Sequence, residues 1–238
     1  MQKGKIAAIV LAGGSGKRMG GSCKKQYLLL DEKPILYYSL KAFQDSPYID
    51  VIILVTNEPE YCMEELVLKY HMDKVIKAVP GGKERYHSVY NGLQAVEQKS
   101  VCDYVLIHDG ARPFVTGDII KRSVECVEQY QACVVGMPVK DTIKIADEME
   151  FAKATPDRKC VWMIQTPQTF SFALIKNAYE QILKDTPEGI TDDAMVIESQ
   201  NLAKVKLIPG SYENIKITTP EDMEIAEVFL NKQKCLEK

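Results

Sequence analysis

No apolar run in this 238-residue chain is long enough to cross a bilayer, which argues against a membrane protein. Met1-Gln-Lys-Gly-Lys5 leads straight into a strand-like segment, so a cytoplasmic protein without a cleaved leader is expected. The seven cysteines are odd in number and contain no Cys-x-x-Cys, which excludes a zinc ribbon and a disulfide frame and fits reduced thiols. The three histidines, at 71, 87 and 108, have no metal-ligand spacing. The net charge of −3 lacks the excess of cations that phosphate-backbone binding requires, so no nucleic-acid partner is expected. Repeats, low-complexity tracts and linkers are also missing. What remains is 46% hydrophobic and 26% charged, a globular balance with enough residues for an ample core.

Against that background, Leu11-Ala-Gly-Gly-Ser-Gly-Lys-Arg-Met-Gly20, followed by Lys24-Lys25-Gln26, stands out. It follows an apolar run that reads as a buried parallel strand. Glycines at the strand end let the backbone approach a ligand with its N–H groups turned inward. The cations beside them suit a triphosphate and can offset charge that grows on a reacting phosphorus. Two familiar glycine motifs are excluded. A P-loop requires Ser or Thr after Gly-Lys, and Arg18 follows Gly16-Lys17. A dinucleotide fingerprint requires a third glycine where Met19 stands.

Apolar runs alternate with amphipathic segments along most of the chain. Strands are expected at 5–11, 51–56, 74–78, 104–108, 133–138, 161–165, 204–208 and 214–217. Helices are expected near 34–44, 59–70, 84–97, 117–130, 172–184, 192–199 and 220–231. This pattern predicts an α/β fold: a Rossmann-like, mostly parallel twisted sheet with helices on both faces. The stretch 140–159 breaks the alternation and reads as a projecting β-arm, too thin to be stable alone and therefore expected to pack on a second copy in a homodimer. The organisation expected is one domain over 1–238 with a dimerisation arm at about 140–159.

Ligands of such sheets bind at the carboxyl ends of the strands, which brings the glycine loop, Asp109 and Thr166 to one rim. Asp109, just past a buried strand, suits a Mg²⁺ ligand beside phosphates, or caps a turn. Arg112 either binds phosphate or pairs with that aspartate. Gly81-Gly82-Lys83 opens a second glycine turn, from which backbone groups and Ser88 could read a base edge. Lys216 precedes a well-signalled helix start, with Thr219 as cap, Pro220 in the first position and Asp222 at the capping-box position. A site rich in cations and poor in histidine fits nucleotidyl transfer better than hydrolysis by a nucleophile triad.

Taken in order, these segments resemble the 2-C-methyl-D-erythritol 4-phosphate cytidylyltransferases of the non-mevalonate isoprenoid pathway. The resemblance runs through Leu11-Ala-Gly-Gly-Ser-Gly-Lys-Arg-Met, Lys25-Gln-Tyr, Gly81-Gly-Lys-Glu-Arg, His108-Asp-Gly-Ala-Arg-Pro, Pro138-Val-Lys-Asp-Thr-Ile-Lys, Asp157-Arg158, Trp162, Gln165-Thr-Pro-Gln, Thr191-Asp-Asp-Ala and Asn214-Ile-Lys-Ile-Thr-Thr-Pro-Glu-Asp. It implies a nucleotidyltransferase-type fold and the reaction of CTP with a sugar-alcohol phosphate, giving 4-diphosphocytidyl-2-C-methyl-D-erythritol and pyrophosphate. It implies that Arg18 and Lys25 stabilise the transition state and that Arg158 and Lys216 position the acceptor. It also places Ala12, Gly13, Gly14, Gly82 and Ser88 around the cytidine, Mg²⁺ or another divalent cation on Asp109, and Thr142 in an arm lent to the partner's site. Arg112 and Thr166 are counted with the substrate-positioning residues, and Gly16 and Lys83 with the nucleotide set. Family members often carry Asp where this chain has Lys83, a donor only, so a backbone carbonyl is the candidate reader of the cytosine amino group. The alternatives weighed are a ribitol-5-phosphate cytidylyltransferase, a nucleotide-sugar glycosyltransferase, disfavoured by the lack of an Asp-x-Asp pair, and a non-enzymatic nucleotide sensor.

Overall fold

Along Ile6–Ala12 (β1), odd and even residues bury on opposite faces, as a two-residue period demands. Ile6, Ala8 and Val10 pack with Leu36, Leu40 and Phe43, while Ala7 and Ile9 pack with Val89, Leu93 and Phe170. Both faces of the strand are therefore covered, which is why it reads as a continuous apolar run. The computed structural model describes residues 4–14, 25–185 and 189–236.

After a 3₁₀ turn at Lys25–Tyr27 comes a short hairpin of Leu29–Leu30 (β2) and Lys33–Pro34 (β3), then Ile35–Asp45 (α1) and Val51–Thr56 (β4). A short helix, Pro59–Cys62 (α2), continues as a π-helical stretch at Met63–Leu68. Val75–Pro80 (β5), Arg85–Lys99 (α3), Tyr104–Asp109 (β6), Gly117–Tyr130 (α4) and Ala132–Pro138 (β7) follow. Ile145–Ala146 (β8) and Ala152–Ala154 (β9) pair as an isolated antiparallel hairpin, where the sequence places the arm. The chain closes with Trp162–Ser171 (β10), Phe172–Ile182 (α5), Asp193–Glu198 (α6), Lys206–Pro209 (β11) and Pro220–Leu236 (α7).

The seven-stranded sheet has the order β11-β7-β10-β6-β1-β4-β5. Only β10 runs against its neighbours, β6 and β7; the other pairings are parallel. The carboxyl ends of β1, β4, β5 and β6 consequently share one rim. At Gly92 on α3, a Cβ would meet Ile9 Cγ2 at 2.7 Å, so glycine lets this helix lie close on the strand that ends in the glycine loop.

Two expectations need correction. The strand expected at 161–165 is ten residues long, and its second half is polar but buried: Gln165, Thr166, Gln168 and Thr169. A register shift falls between Ile164 and Gln168, where the Thr166–Pro167 peptide is cis. The segment 214–217 is not a strand. Its alternation reflects packing, with Ile217 buried against Leu30, Ile35 and Phe114 and its N–H donating to the Ala111 carbonyl.

Candidate active site

Asp109 is the last residue of β6 and is nearly buried, yet its surroundings keep it ionised. Lys216 Nζ lies 2.8 Å from Oδ2, Arg112 Nε 3.6 Å from Oδ2 and Arg85 Nε 3.8 Å from Oδ1. Burial alone would raise its pKa, but the attraction of Lys216, Arg85 and Arg112 outweighs burial and holds the carboxyl well below the usual carboxylate range. These residues line a cavity of about 300 Å³, together with Thr166 on β10 and Thr191 and Asp192 before α6.

The backbone around this carboxylate is fixed by a buried relay. The Asp109 N–H donates to Thr166 Oγ1 at 3.0 Å, and Thr166 Oγ1 meets His108 Nδ1 at 3.0 Å. His108 Nε2 meets the Arg112 carbonyl at 3.2 Å. A neutral imidazole with its proton on Nε2 satisfies every link: Thr166 donates to Nδ1, and Nε2–H donates to the carbonyl. Burial pushes the His108 pKa down to about 4, so the neutral form is the working one at physiological pH. Thr166 thus spends its hydroxyl proton inside the protein and acts on the site through Asp109.

Lys216 is held by anchors on both sides rather than by a strand. Asn214 Nδ2 donates to the Thr166 carbonyl at 2.9 Å, and the Asn214 carbonyl accepts from Arg112 Nη1 at 2.8 Å. Beyond it, the Asp222 carboxylate accepts from both Thr218 and Thr219 N–H groups, which supplies the expected helix start. Of the two readings for Arg112, the structure shows the pairing with Asp109. It contacts Asp109, while its buried Nε makes no hydrogen bond among the described residues.

A second cluster sits at the ends of β1, β4 and β5. Gly82 N–H donates to Ser88 Oγ at 2.9 Å, and Ser88 donates back to the Glu84 carbonyl at 3.3 Å. A Cβ on Gly82 would fall 2.3 Å from His87 Cβ, so this turn requires glycine. Gly13 faces Gly81 and Ser88: its Cβ position lies 3.6 Å from Gly81 Cα and 3.9 Å from Ser88 Oγ. The loop start is tied down by Asn57 Nδ2, donating to the Gly13 carbonyl at 2.7 Å, and Gln26 Nε2, donating to the Ala12 carbonyl at 2.7 Å. The two glycine turns therefore adjoin, with backbone groups and small residues facing each other.

The chain matches the profile of the 2-C-methyl-D-erythritol 4-phosphate cytidylyltransferase family over residues 6–232. It belongs to that family. A protein of that name from Lachnospira eligens is 53% identical over 94% of this chain and 98% of the relative. One from Caldanaerobacter subterraneus subsp. tengcongensis is 48% identical over 95% and 99%. The crystal structure of 4-diphosphocytidyl-2C-methyl-D-erythritol synthase from Anaerococcus prevotii is 34% identical, with a TM-score of 0.85 over 96% of this chain and 97% of that one. The fold is that of the family's nucleotidyltransferases, and the chain is an enzyme of that class.

Of the residues singled out from the sequence, the structure brings Asp109, Arg112, Thr166 and Lys216 into one cavity, and Ala12, Gly13, Gly82 and Ser88 into the adjoining turns. Gly14 and Lys83 are exposed beside those turns. Thr142 and Arg158 do not join the cavity of their own chain. Both are exposed at the arm, and Arg158 Nη1 donates to the Lys140 carbonyl at 3.3 Å. Gly16 and Arg18 lie outside the described residues, as does the side chain of Lys25, whose backbone opens the 3₁₀ turn. Sequence reasoning passed over Arg85, Asp193, Gln168 and His108. Each stands inside a quoted motif, but its partner is remote in the chain: Asp193 for Arg85 and for Gln168, and Thr166 for His108.

Proposed function

We propose that the cavity beside Asp109 receives the acceptor phosphate while the two glycine turns hold the cytidine of CTP. The protein transfers a cytidylyl group from CTP to 2-C-methyl-D-erythritol 4-phosphate, giving 4-diphosphocytidyl-2-C-methyl-D-erythritol and pyrophosphate. The observation that carries the site reading is the pair of cations, Lys216 and Arg112, that Asp109 holds at 2.8 and 3.6 Å in one cavity. An anionic phosphate oxygen can compete with the carboxylate for these cations.

The chemistry asks for positioning rather than proton removal. A phosphomonoester has its second pKa near about 6, so the acceptor is already a dianionic nucleophile at neutral pH. One of its oxygens attacks the α-phosphorus as the bond to the β-phosphate oxygen breaks, and pyrophosphate leaves with the electron pair. Lys216 and Arg112 draw the acceptor phosphate in and offset repulsion between the two anions. Arg18 and Lys25 meet the charge growing on the α-phosphoryl oxygens. Asp109, which shares the cavity lining with Asp192, is an ionised carboxylate at a phosphate-seeking rim and would hold Mg²⁺ or another divalent cation that takes its remaining ligands from phosphates and water, in exchange for the lysine and arginines now paired with it. Among the described residues there is no three-residue cage that would bind a metal unaided. Such an ion, when bound, supplies positive charge against the triphosphate.

The arm serves a homodimer in this reading, as an extension of one nucleotidyltransferase domain. Its hairpin exposes Ile145, Met149 and Phe151 at 49%, 77% and 67%, apolar surface that a second copy would cover. Thr142 and Arg158 then complete the partner's acceptor site. The six described cysteines are all free, in keeping with a cytoplasmic enzyme, and no described helix is long and apolar enough to cross a membrane. Pyrophosphate release from CTP and Mg²⁺ tests the substrate, with 2-C-methyl-D-erythritol 4-phosphate compared against ribitol 5-phosphate. The former should be clearly preferred; equal or better turnover of ribitol 5-phosphate would overturn the acceptor assignment.

A further inference from the structure

Arg85 is the first residue of α3, three positions after Gly82 and three before Ser88. Its guanidinium crosses the site to Asp193, a residue 108 positions away, in a bidentate pair: Nη1 to Oδ1 at 2.8 Å and Nη2 to Oδ2 at 2.7 Å. Its third nitrogen, Nε, faces Asp109 Oδ1 at 3.8 Å. Asp193 is fully buried and takes a further hydrogen bond from Tyr179 Oη at 2.6 Å, which leaves it no freedom to follow solvent. The same segment is locked from the sheet side. Gln168 Oε1 accepts from the N–H groups of Asp193 and Ala194, and Gln168 Nε2 donates to Asp192. Thr191 and Asp192, immediately before, line the cavity beside Asp109.

Arg85 therefore touches three parts at once: the helix start that carries the Gly82–Ser88 turn, the carboxylate at the cavity floor, and the loop that walls the cavity. All three of its nitrogens are turned to carboxylates, so it is not free to bind a phosphate. A surface cation would not need such a partner; two planar forks meeting at this length fix orientation as well as charge. We propose that Arg85, through its pair with Asp193, is a positioning residue that couples the nucleotide turn to the acceptor cavity, so that each substrate binds more tightly when the other is present. The proposal rests on the assignment of nucleotide and acceptor to these two places. By linkage the coupling must be reciprocal, because both sites bias one shared arrangement of Arg85.

The experiment measures dissociation constants by calorimetry. 2-C-methyl-D-erythritol 4-phosphate is titrated into the full-length protein with and without saturating α,β-methylene-CTP and Mg²⁺, and the nucleotide is titrated in the reverse design. Wild type should show an acceptor affinity at least fivefold tighter with nucleotide bound, and an equal factor the other way. In Arg85→Lys, which keeps the charge but loses the fork, the factor should fall below twofold and the acceptor KM should rise about tenfold. Nucleotide affinity measured alone should change less than threefold. Tyr179→Phe removes a bond to the same buried Asp193 without touching Arg85, and serves as the control for general loosening. It should lower the melting temperature while keeping the coupling factor. The proposal is overturned if wild type shows no coupling, if Arg85→Lys keeps it, or if Tyr179→Phe loses it equally. Should Arg85→Lys fail to fold, Asp193→Asn carries the same readouts, and failure of both to fold would make the pair purely structural. Absence of binding by either substrate to wild type would instead refute the site assignment itself.

Discussion

Thr166→Val removes one oxygen from the centre of the buried relay and changes little else in shape. Two groups lose their partner: the Asp109 N–H and His108 Nδ1, both held at 3.0 Å in the native protein. Each buried polar group left unpaired costs about 1–3 kcal/mol, so the pair should cost about 2–4 kcal/mol after local relaxation. For a chain of this size that corresponds to a melting temperature lower by about 5–15 °C. The damage should also reach function, because Asp109 is the residue against which Lys216 and Arg112 are arranged. Differential scanning calorimetry of wild type, Thr166→Ser and Thr166→Val, with acceptor KM measured in parallel, separates the possibilities. Serine restores both bonds and should recover most of the loss. A valine variant within 1 °C of wild type (on the order of the measurement's own precision, where the relay demands several degrees) would refute the relay. A serine variant as damaged as valine would refute it as well.

Lys25→Ala and Arg18→Ala should lower kcat on the order of 10²-fold or more with little loss of CTP affinity, since both act on charge that grows in the transition state. Steady-state kinetics with a separate CTP titration checks this, and weakened CTP binding at normal kcat would contradict it. Arg158→Ala should raise the acceptor KM while leaving CTP binding nearly intact. Deletion of 147–150 should loosen the dimer and lower activity together in sedimentation and turnover assays, and a fully active monomer would contradict the shared site. Stability should rise with pH between about 4 and 6.5, because His108 is held neutral when folded, with its pKa pushed down to about 4 from 6.5, and takes up a proton when unfolded. The full swing is about 3 kcal/mol. Asp109 adds to it in the same sense at lower pH, since its depressed pKa gives stability that is lost on acidification. Urea midpoints across pH 4–7 (roughly the span over which a neutral buried imidazole matters) read this out, and a flat profile would be inconsistent with a buried neutral His108.

The parts of the fold that were legible in the sequence are those where burial on both faces leaves a continuous apolar run. β1, β4 and β6 show this, with Ile6–Ala12, Val51–Thr56 and Tyr104–Asp109 almost wholly buried. The second half of β10 was hidden because its buried side chains are polar and are satisfied by distant partners. Gln165 donates to the Ser211 carbonyl and Gln168 to Asp192. Alternation misled at 214–217, where Ile215 and Ile217 pack into a small core around Phe114 without pairing to a neighbouring strand. The β2–β3 hairpin was missed because two residues per strand leave no periodicity to detect. For the site, single residues next to a glycine turn, a strand end or a helix start, such as Gly82, Asp109 and Lys216, could be found from local context. Arg85 and His108 could not, since what defines them is a partner brought close only by the sheet order: Asp193 for one, Thr166 for the other.

The claim that the cavity beside Asp109 is the acceptor site is tested most directly at Lys216, whose Nζ sits 2.8 Å from Asp109 and at the cavity wall. Pyrophosphate release with saturating CTP and varied 2-C-methyl-D-erythritol 4-phosphate should show kcat/KM for the acceptor lower on the order of 10²-fold in Lys216→Met, with CTP affinity unchanged. An acceptor kcat/KM within about twofold of wild type, or a loss confined to CTP binding, would contradict the assignment.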